Sequence, residues 1–219
     1  MATSALAGVP YPDATDLVGY GPGAFETMIE ALEKLSLLRF ATAVARDAAI
    51  PSPEAGMFTF LTTPKQITLY DGSVWIIIAE KTRPVVGLRK STLQSIPNTT
   101  ATAVTFDVED GDAQAMHASG SATITIPRTG LWLVGYQFEF AGNNNGTRAT
   151  WIDFNALGVR YAYSEQTNGS VTANTVNTAM GMFAFNAGDT FQLIAYQSSG
   201  GALNGGAYAW LTATWIGGL

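Results

Sequence analysis

Thiolates, imidazoles and activated hydroxyls do most covalent chemistry in proteins, and this sequence has few of them. His117 is the only histidine and there is no cysteine, which excludes a Cys–His pair, a thiolate metal site and a His-rich metal site. His117 lies in a Ser/Ala/Gly stretch without a nucleophile-elbow motif. Glycan hydrolysis would need only two correctly spaced carboxylates, and the second half of the chain offers Glu139, Asp153, Glu165 and Asp189. Of these, Asp189 is better explained as the polar residue of the turn Ala187-Gly188-Asp189. The densest acidic cluster is Asp107, Glu109, Asp110 and Asp112, but the twelfth position from Asp107 is Ala118, where a calcium loop needs a bidentate glutamate. The cluster reads as a solvated acidic loop, with a divalent-cation site as the alternative. No Gly-rich phosphate loop of either standard pattern occurs. The expectation is a protein that is not an enzyme, with no cofactor and no metal.

Recognition asks for less: donors, acceptors and an apolar platform. Two polar loops fit that description, Asn143-Asn144-Asn145 with Arg148, and the stretch 198–206 with Asn204. Amide-rich loops near aromatic residues suit carbohydrate hydroxyls, and Arg148 would pair with an acidic sugar. The same residues also favour turns, so both loops read equally as hairpin tips.

Composition limits what can hold these loops. Of 219 residues, 47% are apolar and 13% charged, with a net charge of −6. Disorder needs few apolar residues and many like charges, a disulfide scaffold needs cysteine, and a conventional nucleic-acid partner needs a basic surface. The first two are excluded, and a nucleic-acid partner is not expected. The longest apolar run, Val74-Trp75-Ile76-Ile77-Ile78-Ala79, is far short of the roughly 20 residues of a membrane span, so no membrane insertion is expected. Residues 1–9 lack the basic n-region of a signal peptide. Residues 1–99 hold nine acids and eight bases, whereas 100–219 hold eight acids and three bases, which predicts two modules.

Residues 1–24, with Pro10, Pro12, Pro22 and four glycines, read as an extended arm or as a tail without structure of its own. In the arm reading, Tyr11, Leu17, Val18 and Tyr20 seat it on another surface. A helix is predicted over 25–40. Its Phe25, Met28, Leu32 and Leu35 follow heptad spacing and would form a short seam, although an amphipathic helix on its own domain has the same period. Residues 41–80 form a small module with three strands at 57–61, 66–70 and 73–78, the last two joined by the hairpin signal Asp71-Gly72. Residues 81–101 have no period and read as a linker, with Lys81, Arg83, Arg89 and Lys90 as a solvated face. Residues 102–219 are strand-like throughout. Trp132, Val134, Tyr136, Phe138 and Phe140 share one face by alternation, and short strands at near-regular spacing predict a sandwich or barrel. In the last strand Tyr208, Trp210, Thr212 and Thr214 face one way and Ala209, Leu211, Ala213 and Trp215 the other. A sandwich buries one face of a sheet, so a second apolar face needs another partner.

Two stretches resemble known families. Ala45-Arg46-Asp47-Ala48-Ala49-Ile50-Pro51-Ser52-Pro53, then Gly56-Met57, Leu61 and Tyr70-Asp71-Gly72 before Trp75, resembles a small module of tailed-bacteriophage structural proteins. In that family a virion-attachment segment precedes the module and a binding or trimerisation domain follows it. Ile126-Pro127-Arg128-Thr129-Gly130-Leu131-Trp132, Asn155-Ala156-Leu157-Gly158, Asn186-Ala187-Gly188-Asp189 and the closing strand through Trp210 and Trp215 resemble the C1q/TNF-like jelly roll, in the order that family has them. There the final strand returns through the middle of the inner sheet. The implied fold is mainly β: a C1q/TNF-like jelly-roll β-sandwich at 102–219, preceded by a short α-helix and a small three-stranded meander. The implied protein is a homotrimer with Phe25, Met28, Leu32, Leu35, Tyr208 and Trp210 at its interface. It would be made in the host cytoplasm and sit on a virion tail, baseplate or head surface. Its arm would hold other virion proteins and its head would bind host cell-surface glycan. A head fibre or capsid decoration without a specific receptor is the alternative, and a glycan depolymerase a third.

Overall fold

Period-two alternation is the dominant signal of the chain, and strands dominate its structure. A computed structural model describes residues 2–3, 10–11, 21–81, 83–167 and 173–218. The chain divides into two units, Met1–Thr82 and Arg83–Leu219.

In the first unit, β1 (Ala2–Thr3) pairs antiparallel with β2 (Pro10–Tyr11). There follow α1 (Gly21–Leu35), β3 (Leu38–Phe40), α2 (Ala43–Ala49), β4 (Phe58–Leu61), β5 (Gln66–Tyr70) and β6 (Trp75–Glu80). The expected meander is β4-β5-β6, and β3 joins it in parallel as a fourth strand. The helix therefore stops short of the predicted 40. Thr62 N and Thr63 N donate to Phe40 O and Ala41 O, both at 2.9 Å, so sheet pairing takes the backbone groups that another helical turn would need. Asp71 closes the β5–β6 turn, its Oδ1 accepting from Ser73 N and Val74 N at 2.8 Å each. Arg46 on α2 is buried. Its Nη1 donates to Thr68 Oγ1 at 3.2 Å, its Nε donates to Asp47, and its guanidinium lies 4.3 Å from the centre of the Trp75 ring. These contacts hold α2 to one face of the small sheet. The other face leaves Phe58, Ile76 and Ile78 exposed.

The second unit consists of β7 (Val85–Arg89), β8 (Gln94–Ile96), β9 (Thr102–Ala103), β10 (Val108–Asp112), β11 (Ile124–Thr125), β12 (Gly130–Phe140), β13 (Thr147–Phe154), β14 (Tyr161–Thr167), β15 (Thr175–Phe185), β16 (Thr190–Gln197), β17 (Leu203–Gly205) and β18 (Trp210–Gly217). One sheet runs β10-β7-β18-β12-β17-β8 with β15 on the free side of β12, and the other runs β11-β16-β13-β14 with β9 beside β16. This is a jelly roll in which the last strand, β18, sits between β7 and β12. Trp132, Val134, Tyr136, Phe138 and Phe140 are all fully buried and form one core with Phe106, Phe191, Leu193 and Leu211. Each such apolar side chain contributes roughly 1.5–3 kcal/mol.

The stretch read as a linker contains strands instead. Val86 and Leu88 of β7 are buried, and β7 pairs with β18 from Val85↔Thr214 to Arg89↔Trp210. A five-residue strand whose partner lies more than a hundred residues away leaves no local period. Of its bases, Lys81, Arg83 and Arg89 are exposed, as a solvated face requires, and Lys90 is the exception. Lys90 is buried with Nζ donating to Thr105 O at 3.0 Å, and Arg89 forms a fork with Asp110.

Tyr136 fastens the two sheets, its hydroxyl donating to Ala162 O at 2.6 Å and lying 3.0 Å from Thr150 O. Burial pushes its phenol up to about 12. The unfolded chain ionises this phenol near pH 10 while the folded chain keeps it neutral, so stability falls as pH rises through that window. That difference corresponds to a loss on the order of 3 kcal/mol at full ionisation. Urea unfolding between pH 9 and 12 is expected to show a steeper alkaline decline in the parent than in Tyr136→Phe, which itself costs about 1–2 kcal/mol at neutral pH by leaving carbonyls unpaired.

Candidate functional site

The groups with chemical potential are mostly committed to structure. The His117 side chain is enclosed, with Nδ1 2.9 Å from Glu109 Oε1 and Nε2 3.0 Å from Ser121 O. The acidic cluster is not a free solvated loop. Asp107 accepts from Ser91 N at 2.6 Å and from the Ser91 and Thr92 hydroxyls, which hold its carboxyl below the usual range. Hydrogen bonds from Arg89 hold Asp110 down likewise, and Asp112 accepts from Met116 N and His117 N at 2.8 Å. Among the described residues no group of three or more His, Cys, Asp or Glu is placed to hold a metal ion. The four candidate glycan-cleaving acids each bind their own partner: Glu139 takes Asn174 Nδ2, Asp153 takes Gly158 N at 2.9 Å, Glu165 takes the Tyr163 hydroxyl, and Asp189 takes Asn186 N across its turn at 2.7 Å.

The polar loops do come together at one end of the jelly roll. Gly146 has φ +68, and a Cβ there would lie 2.0 Å from Ser198 O, so only glycine allows the loop at 142–146 to lie against 198–201. Thr147 N donates to Ser198 Oγ at 2.9 Å, and Ser198 N to Thr147 O at 3.1 Å. Buried Gln197 completes the end, donating to Ile96 O and Gly201 O and accepting from Ser199 N. Gly200 N reaches Asn98 Oδ1 at 2.8 Å, and neighbouring Thr99 has φ +56. Asn98, Thr99 and Gln197 escape the sequence reading, because strand pairing across a hundred residues joins them.

Arg148 corrects the predicted recognition loop. It is fully buried, with Nη1 donating to Asn145 O and Thr147 O at 2.8 and 3.1 Å and Nη2 to Asn143 O at 2.9 Å. Burial pushes its guanidinium pKa down. The signal was present: Arg148 shares strand parity with Thr150 and Ile152, which face the core. Asn143 Oδ1 accepts Asn145 N within the loop at 2.8 Å, which leaves Asn144 and Asn145 exposed. Asn204 is exposed but lies in β17, paired with Ser95, rather than in a loop.

The second face of β18 is open. Ala209, Leu211, Ala213 and Trp215 are buried, while Tyr208 is 71% and Trp210 38% exposed. Beside them on the same sheet face, Met180 and Met182 of β15 are 69% and 64% exposed. Gly135 of β12 lies between Met180 and Thr212 in register. A Cβ there would be 3.6 Å from Met180 and 3.7 Å from Trp210, so both side chains close over the glycine into one apolar stripe. Sequence reading missed Met180 and Met182, which belong to a strand of looser alternation. On α1, Phe25 and Leu32 are exposed and Met28 half-buried, while the Leu35 side chain lies outside the described residues. Leu17, Val18, Tyr20 and the Tyr11 side chain lie outside them too.

No protein-family model and no curated protein matches the sequence. Among solved structures, the chain is similar to the globular domain of zebrafish complement 1qA protein, at 14% identity over 62% of this chain and 98% of that one, with a TM-score of 0.51. It is also similar to the Eiger TNF of S. frugiperda (11% identity, 64% and 96% covered, TM-score 0.48) and to murine APRIL (14%, 62% and 100%, 0.47). The shared property is the C1q/TNF-like jelly roll.

A buried Arg148 predicts a stability phenotype. Arg148→Ala leaves the carbonyls of Asn143, Asn145 and Thr147 without that donor and should cost about 2–4 kcal/mol in thermal unfolding. Replacing Asn144 and Asn145 with alanine should change stability by less than about 0.5 kcal/mol.

Proposed function

We propose that this chain is a non-catalytic structural component of a tailed-bacteriophage virion, a homotrimer that attaches through its N-terminal unit and presents a jelly-roll head for binding host-surface glycan. The observation that carries the reading is the open face of the larger sheet. Met180, Met182, Tyr208 and Trp210 form a contiguous apolar stripe on a sheet whose opposite face already closes the core. Stripes of this kind mark protein contacts, and identical heads around a closed symmetry axis bury the same patch on every copy. Phe25, Ile29 and Leu32 on α1, and Phe58, Ile76 and Ile78 on the small sheet, supply further apolar surface for the same assembly. The virion assignment is supported by the ordered motif from Ala45 to Trp75, and the attachment role of residues 1–24 by its place before that motif. Burial of Arg148 favours a second reading, a head fibre or capsid decoration without a specific receptor, since it removes the cation from the Asn143–Asn145 loop.

Light scattering at micromolar concentration should give three times the 23.1 kDa subunit mass. Met180→Glu with Met182→Glu should give folded monomers or a markedly weaker trimer, and a monomeric parent would defeat the reading. Removing residues 1–35 should leave the head trimeric. Removing residues 1–24 should abolish incorporation into particles, and normal incorporation would refute the attachment role.

A further inference from the structure

The smaller sheet of the head turns a second aromatic surface away from the core. Trp151 on β13 packs there with Ala149 and Ile194, and Tyr163 on β14 lies beside it, 6.4 Å between ring centres. Arg160, in the turn before β14, lays its guanidinium over both rings, 4.7 Å from Trp151 and 5.3 Å from Tyr163. Stacking occupies the flat face of a guanidinium and leaves its N–H edges pointing along the surface. The hydrogen bond Arg160 makes there is a long one, Nη1 to Tyr163 Oη at 3.4 Å. Beneath it, the Trp151 side chain is buried and its Nε1–H has no partner. The indole ring is a platform that holds Arg160 at the surface. The Tyr163 hydroxyl donates to Glu165, which leaves that carboxylate with further acceptor capacity at the rim.

We propose that Arg160, Trp151, Tyr163 and Glu165 form a subsite for an acidic sugar residue, a uronic acid unit of a surface glycan. The sugar carboxylate takes the free edge of Arg160 as a bidentate pair. Its apolar C–H face lies on the exposed part of the Tyr163 ring and a hydroxyl donates to Glu165, while the buried Trp151 ring holds the guanidinium in place. The electrostatics select a single carboxylate over a polyanion. Residues 100–219 hold only three bases among eight acids; Arg148 is buried in loop carbonyls, Arg128 lies over Trp215, and Glu165 borders the site. A nucleic acid or polyphosphate would meet repulsion there, whereas a sugar with one charge and several hydroxyls meets complementary groups. The subsite rests on the glycan-binding reading of the head. One such contact is weak, on the order of millimolar, and three copies on one axis would raise it by avidity.

The full-length protein labelled with 15N at tryptophan indoles, titrated with methyl β-D-glucuronide and separately with methyl β-D-glucoside, tests this. The Trp151 indole signal, assigned with Trp151→Phe, should move with the glucuronide and not with the glucoside. Arg160→Gln should weaken the response at least tenfold, and Tyr163→Ala should abolish saturation transfer to the sugar. No movement, equal movement with both sugars, or an unchanged response in Arg160→Gln would overturn the subsite and leave the cluster as packing alone. Light scattering on the same samples reads the trimer independently, so loss of sugar binding in an intact trimer counts against the subsite and a monomeric mass counts against the assembly.

Discussion

The structure of the head depends on burying the ladder Trp132-Val134-Tyr136-Phe138-Phe140 on one face of β12. Its flanking strands, β15 and β18, are in register with it along most of its length. Because side chains alternate across a strand, placing those five inside fixes Leu133, Gly135 and Gln137 on the other face. It fixes the neighbouring strands as well. Leu211, Ala213 and Trp215 turn inward beside the ladder, and Trp210 and Met180 are turned outward by the same pleat. The pleat thus fixes which positions face outward, and the residue types Met180, Met182 and Trp210 at those positions make that face apolar.

Buried polar side chains fix the ends of the jelly roll. Arg148, Gln197 and Tyr136 are all inaccessible, and all three hydrogen-bond to main-chain carbonyls. Such groups are costly to bury unless paired, so each one specifies where its loop or strand must lie. Arg148 gathers carbonyls of the 142–146 loop, and Gln197 gathers those of residues 96 and 201. Asp107, just before β10, and Asp110 and Asp112 on it accept hydrogen bonds that tie the edge strand to neighbouring segments. Polar residues that resemble a binding site in one dimension become fasteners in three. The exposed polar tips that remain, Asn144 and Asn145, are held by a rigid base.

In the smaller unit the same logic operates with one side chain. Four short strands and a seven-residue helix bury little apolar surface, and small sheets of this kind need covering to be stable. Arg46 links α2 to Thr68 and Trp75 at once, covering one face with a stacked cation and a hydrogen bond. The opposite face, with Phe58, Ile76 and Ile78, keeps its apolar groups in the open.

Local periodicity by itself determined the fold class, the alternation of β12, the two-faced character of the last strand and the three consecutive strands of the small unit. These are properties of neighbouring residues, so they are written where they act. The resemblance of the turns at residues 126–132, 155–158 and 186–189 to those of the C1q/TNF-like family implied the jelly-roll topology. Tertiary structure alone decided the remainder. Strand β7 is too short to show a period and exists because β18 pairs with it; β3 leaves the helix because β4 offers its backbone a partner. Arg148 changed from a recognition residue to a buried fastener because loop carbonyls converge on it. Arg160 gained its place over Trp151 and Tyr163 because β13 and β14 pair side by side. Each of these depends on contacts between residues distant in sequence, or on which side of a strand a charged side chain finds its partners, and composition and spacing do not encode that.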